Sequence, residues 1–407
     1  MTGQSKGMFR GANGRNYVAA FALVASLFFL WGVAHSILDV LNKHFQDVLV
    51  ISKARSALVQ AMVYGGYFLM AIPAGQIIRK WGYRTGIVTG LLLYGIGALL
   101  FIPGGQLMSF PFFLLCLFII GCGLTCLETS ANPYITVLGE KRLAAGRLNL
   151  AQALNGLGWV VGPMIGGLLI LGEDGGDITL PYAVIGFVVI ILGAIFSRLH
   201  LPSPEEQHEE KVQTVATVAS VTSLWDIRTF RYGVVALLLY VAAQTGINSF
   251  FINYVLEADT SLSPSTAAMM LSIGGMGLFM VGRLLGSFIL KAVAPARLMT
   301  VCAIGATVCM LFTITSNGQI GMAALCLTYL FESVMFPTIF SMALTDVTGG
   351  NTKTASSYLV MSIVGGAIAP VLMGVLGETD MALGFLVPLG CFVGIMLYSF
   401  FYKRLRN

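Results

Sequence analysis

Charge is what this chain has little of. Only 10% of its 407 residues are Asp, Glu, Lys or Arg, where a soluble globular protein carries roughly 25%. Hydrophobic residues make up 57%, and the mean hydropathy is +0.86. This balance excludes a soluble domain and points to an all-α polytopic membrane protein. Histidine occurs four times. The seven cysteines (116, 122, 126, 302, 309, 326 and 391) lie in apolar stretches without zinc-type spacing. They read as buried free thiols, and no metal site is expected. No H-E-x-x-H motif occurs, and no catalytic residue or cofactor is expected. The net charge of +5 follows from membrane topology and calls for no nucleic-acid partner.

What is abundant is glycine, with 48 copies, which suits helices packed closely in lipid. Apolar windows of about 20 residues can cross a bilayer. Twelve are expected, at 17–42, 56–78, 84–103, 111–137, 147–171, 181–200, 229–256, 265–290, 296–315, 319–346, 353–377 and 381–402. The first follows a short basic segment with no small-residue cleavage site, so it is expected to be a retained helix. Between the sixth and seventh, 201–228 is too polar to span. It holds Pro202, Pro204 and the acidic run from Glu205 to Glu210, and reads as a solvated loop linking residues 1–200 to 229–407. With the N-terminus inside, every Lys and Arg falls on that side except Lys43, Lys53, Arg55 and the intramembrane Arg283. Glu173, Asp174, Asp177, Glu257, Asp259, Glu378 and Asp380 fall on the other side. This positive-inside bias puts both termini in the cytoplasm.

Against this background Glu128 stands out, in an apolar run that begins near Phe112 and ends near Gly139. An ionisable group at bilayer depth costs between ~2.5 and ~17 kcal/mol, and such groups usually face a watery cavity or a partner along an ion or substrate path. The plain alternative is a neutral acid hydrogen-bonded inside a helix bundle.

The two halves repeat at an offset of about 205 to 211 residues. Trp31, His35 and Asp39 answer Tyr240, Gln244 and Asn248; Glu128 and Pro133 answer Glu332 and Pro337; Gly75 answers Gly286; Pro163 answers Pro370. Several matches at nearly one offset indicate a parallel duplication of six-helix halves. That is the architecture of major facilitator transporters, with substrate held near the midplane between halves. The stretch Gly75-Gln76-Ile77-Ile78-Arg79-Lys80-Trp81-Gly82-Tyr83-Arg84 resembles that superfamily's cytoplasmic motif, although the usual acid before the basic pair is missing. The resemblance implies a cytoplasmic gate at Gly75, Arg79, Lys80 and Arg84. Ordinary inside-positive loop charges would look the same.

Four further strings narrow the resemblance. They are Phe29-Leu30-Trp31-Gly32-Val33-Ala34 with Asp39, Cys126 to Pro133, Arg147 to Asn155, and Phe336-Pro337-Thr338-Ile339-Phe340-Ser341. Together they are similar to the L-fucose permease family of sugar:proton symporters. The resemblance implies twelve transmembrane helices in two pseudo-symmetric six-helix bundles, a sugar and H⁺ as partners in the lipid bilayer, a monomer, and a bacterial inner membrane. It also implies linked roles for Asp39 and Glu128, one coupling sugar to proton and the other serving proton binding and the conformational cycle. The chain departs from the family at His35, Ser36 and Leu38, at Asn248, and at Glu332, where a neutral residue is expected. Fucose itself is therefore not implied.

Sugar recognition needs hydroxyl-matching polar groups and a flat apolar face. The polar candidates are His35, Asp39, Gln60, Tyr64, Glu128, Asn132, Gln152, Asn155, Gln244, Asn248 and Glu332. Tyr67, Trp159, Tyr240, Phe336 and Tyr358 can supply the flat face. Asn132, Gln152 and Asn155 serve equally well as hydrogen-bonding glue between helices, and the aromatics as core. Removal from water favours a neutral carboxyl group. Glu128 can thus load a proton outside and release it inside when hydrated, and Asp39 and Glu332 are further coupling candidates. Arg283 is expected to pair with an acid or with backbone carbonyls. Pro133, Pro163, Pro337, Pro370 and Gly365-Gly366 are expected bends. Na⁺ in place of H⁺, an N-acetylhexosamine in place of a plain hexose, and an integral-membrane enzyme acting on a lipid-linked sugar are the alternatives.

Overall fold

The computed structural model describes residues 9, 16–138, 144–172, 178–199, 224–290, 292–316, 318–347, 355 and 358–406. The linker expected over 201–228 lies outside the described residues except for its end from Leu224. So do Lys141, Arg142, Glu173, Asp174, Asp177 and the Arg79 side chain.

The described chain is helical because nearly every long segment is apolar enough to be stable only with its backbone bonded internally. The first six helices are α1 Val18–Leu49, α2 Lys53–Ile78, α3 Lys80–Leu107, α4 Phe110–Val137, α5 Ala144–Leu169 and α6 Thr179–Arg198. The last six are α7 Arg228–Ala258, α8 Pro264–Gly286, α9 Pro295–Thr315, α10 Gln319–Leu344, α11 Tyr358–Leu376 and α12 Met381–Arg406. Eleven of these have the length and composition to cross a membrane. The remaining one is α5, 26 residues long, where the expected fifth span falls. Large apolar side chains such as Leu69, Ile72, Phe288 and Phe400 point out of the bundle, as a lipid-facing surface requires.

The first six helices pack chiefly among themselves, with α2 and α3 against α4, α3 against α6, and α1 against α5. The last six do the same, with α7 against α11 and α12, and α9 against α10 and α12. Glycine sets the closest approach. A Cβ on Gly158 of α5 would stand 2.8 Å from the Val33 nitrogen of α1, and one on Gly32 would stand 3.1 Å from the Gly158 Cα. Only hydrogen fits at this crossing.

The expected bends divide into two groups. The helix runs unbroken through Pro133, Pro163 and Pro370. It is interrupted at Ser333–Val334, between the segments Gln319–Glu332 and Met335–Leu344, and tightens to 3₁₀ over Ser362–Val364 just before Gly365-Gly366. In α8 the turns widen to a π-helix over Met270–Met276.

The two bundles meet along α1–α7, α2–α11 and α5–α8. Thr245 donates to the Tyr64 hydroxyl at 3.3 Å, and Ser272 to the Val160 carbonyl at 2.5 Å. Further from the termini, Asn42 donates to the Ser249 carbonyl and Asn253 to the Gln46 amide oxygen, each at 2.5 Å. Beyond these, Lys53 Nζ donates to Glu257 at 2.5 Å and to the Gly377 carbonyl at 2.6 Å. Glu378 accepts the backbone N–H groups of Lys53 and Ala54. These hydrogen bonds between the bundles lie at mid-depth or toward the face opposite the termini. Arg84 donates to the carbonyls of Phe196 and Ser197. It therefore ties α3 to the end of α6 within its own bundle, and Lys80 lies over the Trp81 ring.

Candidate functional site

The site begins on α1, where Trp31, His35 and Asp39 recur every four residues and so share one helix face. Trp31 donates its indole N–H to His35 Nδ1 at 3.2 Å. Because an indole nitrogen only donates, Nδ1 must be the acceptor and the ring carries its hydrogen on Nε2. The His35 ring stacks on Trp159 of α5 at 5.8 Å between centroids and meets the edge of Tyr67 at 5.4 Å. An aromatic wall of three helices thus surrounds one imidazole.

One turn on, Asp39 is 2% exposed. Gln60 of α2 donates to its Oδ1 at 2.9 Å, whereas Oδ2 has no hydrogen-bond partner. Asp39 therefore does not sit at a solvated helix end. Tyr64, one turn past Gln60, lies within electrostatic reach of both Asp39 and Glu128, and its hydroxyl meets Thr245 of the other bundle. Tyr67 faces Glu128 and Trp31, but its hydroxyl completes no hydrogen bond. Glu128 itself keeps partial exposure. Asp39 and Glu128 thus share Tyr64 as a neighbour at the seam between the bundles.

The polar groups of α5 divide. Gln152 donates to Asn132 of α4 at 3.4 Å, and both are half-buried. Asn155 is buried and donates to the Phe28 carbonyl at 3.0 Å, so it joins α5 to α1 beside the Gly32–Gly158 crossing. The structure gives Asn155 the gluing role that its residue type equally allowed.

In the second bundle, Asn248 accepts from the Tyr329 hydroxyl at 2.7 Å, and Tyr329 lies within electrostatic reach of both Asp39 and Glu332. Tyr240 stands near Glu332, Arg283 and Tyr64 and 6.0 Å from the Phe336 ring. Gln244 is half-buried. Glu332 is fully buried, and neither of its carboxylate oxygens has a hydrogen-bond partner. Arg283 lies 4.7 Å over the Phe279 ring, and among the described residues no ion pair joins it to Glu332. Tyr358 is elsewhere. It packs on Trp225 at 5.2 Å, near the terminal face, and is not part of the central group. Tyr329 was not anticipated, although its position three residues before Glu332 on one helix face could have signalled it. The inter-bundle residues Asn42, Gln46, Lys53 and Glu257 were not anticipated as a group either.

The chain and its fold resemble those of known proteins. The family profile of the Major Facilitator Superfamily matches residues 17–370. The L-fucose-proton symporter of Escherichia coli is 34% identical over 95% of this chain and 94% of that protein. This chain belongs to the major facilitator superfamily, in its L-fucose permease branch. The glucose/galactose transporter of Brucella abortus is 33% identical, again over 95% of this chain and 94% of that protein. A crystal structure of the transporter FucP in an outward conformation superposes with a TM-score of 0.69 at 34% identity, covering 95% of this chain and 99% of that one.

Proposed function

We propose that the protein imports a hexose or hexose derivative together with a proton, by alternating access between residues 1–200 and 229–407, joined by 201–228. The observation that carries this reading is Asp39. It is buried at the seam of the bundles, with one oxygen held by Gln60 and the other unpaired, and it shares Tyr64 as a neighbour with Glu128. A buried carboxyl group with a free oxygen is suited to a sugar hydroxyl. A second, partly exposed acid beside it is suited to exchanging protons with water. His35, locked by Trp31, offers a donor from Nε2, and Trp159 and Tyr67 offer flat faces. The names of the relatives, which concern L-fucose with a proton and glucose with galactose, agree with this substrate class.

Coupling requires that sugar and proton favour the same state; equal affinity for both states would shift nothing. In this reading Asp39 contacts the sugar, Glu128 carries the proton, and Gln60, Tyr64, Asn132, Gln152, Gln244 and Asn248 complete the polar lining. With both termini in the cytoplasm of a bacterial inner membrane, the contacts made by Asn42, Gln46 and Lys53 join the bundles on the outer side. The protein acts as a monomer and performs no catalysis.

The test is uptake into proteoliposomes. A panel of labelled hexoses, N-acetylhexosamines and fucose is offered under a pH gradient and then under a Na⁺ gradient. Accumulation of a hexose driven by pH alone is the expected result. Accumulation driven only by Na⁺ would replace the coupling ion, and turnover of a lipid-linked sugar without any uptake would overturn the transport reading.

A further inference from the structure

Glu332 is the one acid of the bundle interior for which the sugar-and-proton scheme above has no use. It closes the helical segment Gln319–Glu332, immediately before the interruption at Ser333–Val334. It is 0% exposed, and both its oxygens are without a hydrogen-bond partner. An ionised carboxylate so placed would be a buried charge with nothing to compensate it, which is strongly unfavourable. In this state the group is therefore the neutral acid. A permanently neutral acid has no advantage over an amide or an apolar side chain of the same size. A carboxyl group is of use here only if it ionises in another state of the cycle.

The surroundings supply the means. From α7 it is faced by Tyr240, which also neighbours Arg283. From its own helix it is faced by Tyr329, which is bonded to Asn248 and lies within reach of Asp39. On α8, Arg283 is the cation of the bundle interior, and α9 carries no acid and no base beyond Arg297 in its first turn. The interruption of the helix at Ser333–Val334 next to Glu332, with Pro337 beyond it, gives the carboxyl a place where its environment can change when the bundles rock. Sliding α8 against α10 would bring Arg283 or water to the anion.

We propose that Glu332 is a second proton carrier, housed in the C-terminal bundle, so that each sugar enters with two protons rather than one. This rests on the proton-symport reading above. The proton is taken up by the carboxylate on the outer side and given to water on the inner side, and nothing else is consumed.

The experiment measures the H⁺:sugar ratio in proteoliposomes, from sugar-induced proton influx and from the accumulation ratio at zero membrane potential. At a pH gradient of one unit, two protons support about 100-fold accumulation and one supports about 10-fold. The wild type is expected to move two protons per sugar. Glu332→Gln is expected to move one, with sugar counterflow retained. A wild-type ratio of one would overturn this inference and leave the symport reading standing; a ratio of zero would overturn both. If Glu332→Gln folds but keeps the wild-type ratio, or loses counterflow altogether, Glu332 is a structural or sugar-binding residue and no carrier. Because the wild-type ratio decides by itself, a variant that fails to fold does not protect the proposal.

Discussion

Glu128 and Glu332 hold matched positions in the two bundles, each five residues before a proline, yet they differ in exposure and in the helix that carries them. Glu128 sits inside an unbroken helix, keeps partial exposure, and has Tyr67 and Tyr64 for company. Glu332 ends a helical segment, is sealed from solvent, and has no bonded partner for either oxygen. The two prolines behave as differently as the two acids, because α4 continues through Pro133 while α10 is interrupted ahead of Pro337. Duplication fixes where a carboxyl group stands along a helix. What it does there depends on the neighbours that each half has since acquired.

That contrast can be broken most severely at Glu128. Glu128→Gln is expected to lower proton-driven accumulation by ~10-fold at one pH unit, to the share that Glu332 alone supports, while counterflow persists. Wild-type accumulation by this variant would remove Glu128 from the coupling scheme. Next in size is Gln60→Leu, which leaves the buried Asp39 without the donor seen in the structure. Loss of a hydrogen bond to a buried charged or polar partner costs about 1–3 kcal/mol, so sugar affinity in a binding assay should weaken by roughly 5- to 150-fold. An unchanged affinity would mean that Asp39 does not touch the sugar.

A smaller effect is expected from Lys53→Ala, which severs the contacts to Glu257 and the Gly377 carbonyl. Glu257 is more than a third exposed, so the pair is worth on the order of 1 kcal/mol or less. The sealed population should fall by about 2- to 5-fold. Spin labels at Val50 and Ala258, with the native cysteines replaced, would report longer distances. Smallest is Tyr329→Phe, which removes the bond to Asn248. It should cost about 1 kcal/mol and lower Tm by on the order of 1–2 °C, with Glu128-dependent coupling intact. If that coupling is lost as well, the two bundles share one proton network and the contrast between them is false.

Much of this was legible in the sequence because bilayer crossing imposes a strong pattern. Long apolar runs, their polar intruders and the near-constant offset between halves gave twelve helices and the two glutamates. The resemblance of the Cys126–Pro133 and Arg147–Asn155 strings added the family. What was not legible depends on contacts between segments far apart in the chain. Nothing in the spacing of Asp39 and Gln60 announces their bond, and nothing in Asn155 says that it will bind the Phe28 carbonyl rather than a ligand. Tyr358 looked as suitable as Tyr64 by residue type, but the fold carries it to the terminal face. The seal formed by Asn42, Gln46 and Lys53 escaped because those residues sit at a helix end, where polar side chains ordinarily just meet water.

The crossing at Gly32 and Gly158 has a mechanical consequence. With no side chain between them, α1 and α5 are pressed backbone to backbone, and they turn together as one stiff beam. At 32 residues, α1 is about 48 Å long. Pinned near Asn42 and Gln46 and tilted by about 10°, such a beam sweeps its far tip through several ångströms, on the order of the width of a sugar ring. A gate of that size needs no residue to leave its helical geometry. A single methyl group added at either glycine would separate the two members of the beam and spoil its leverage.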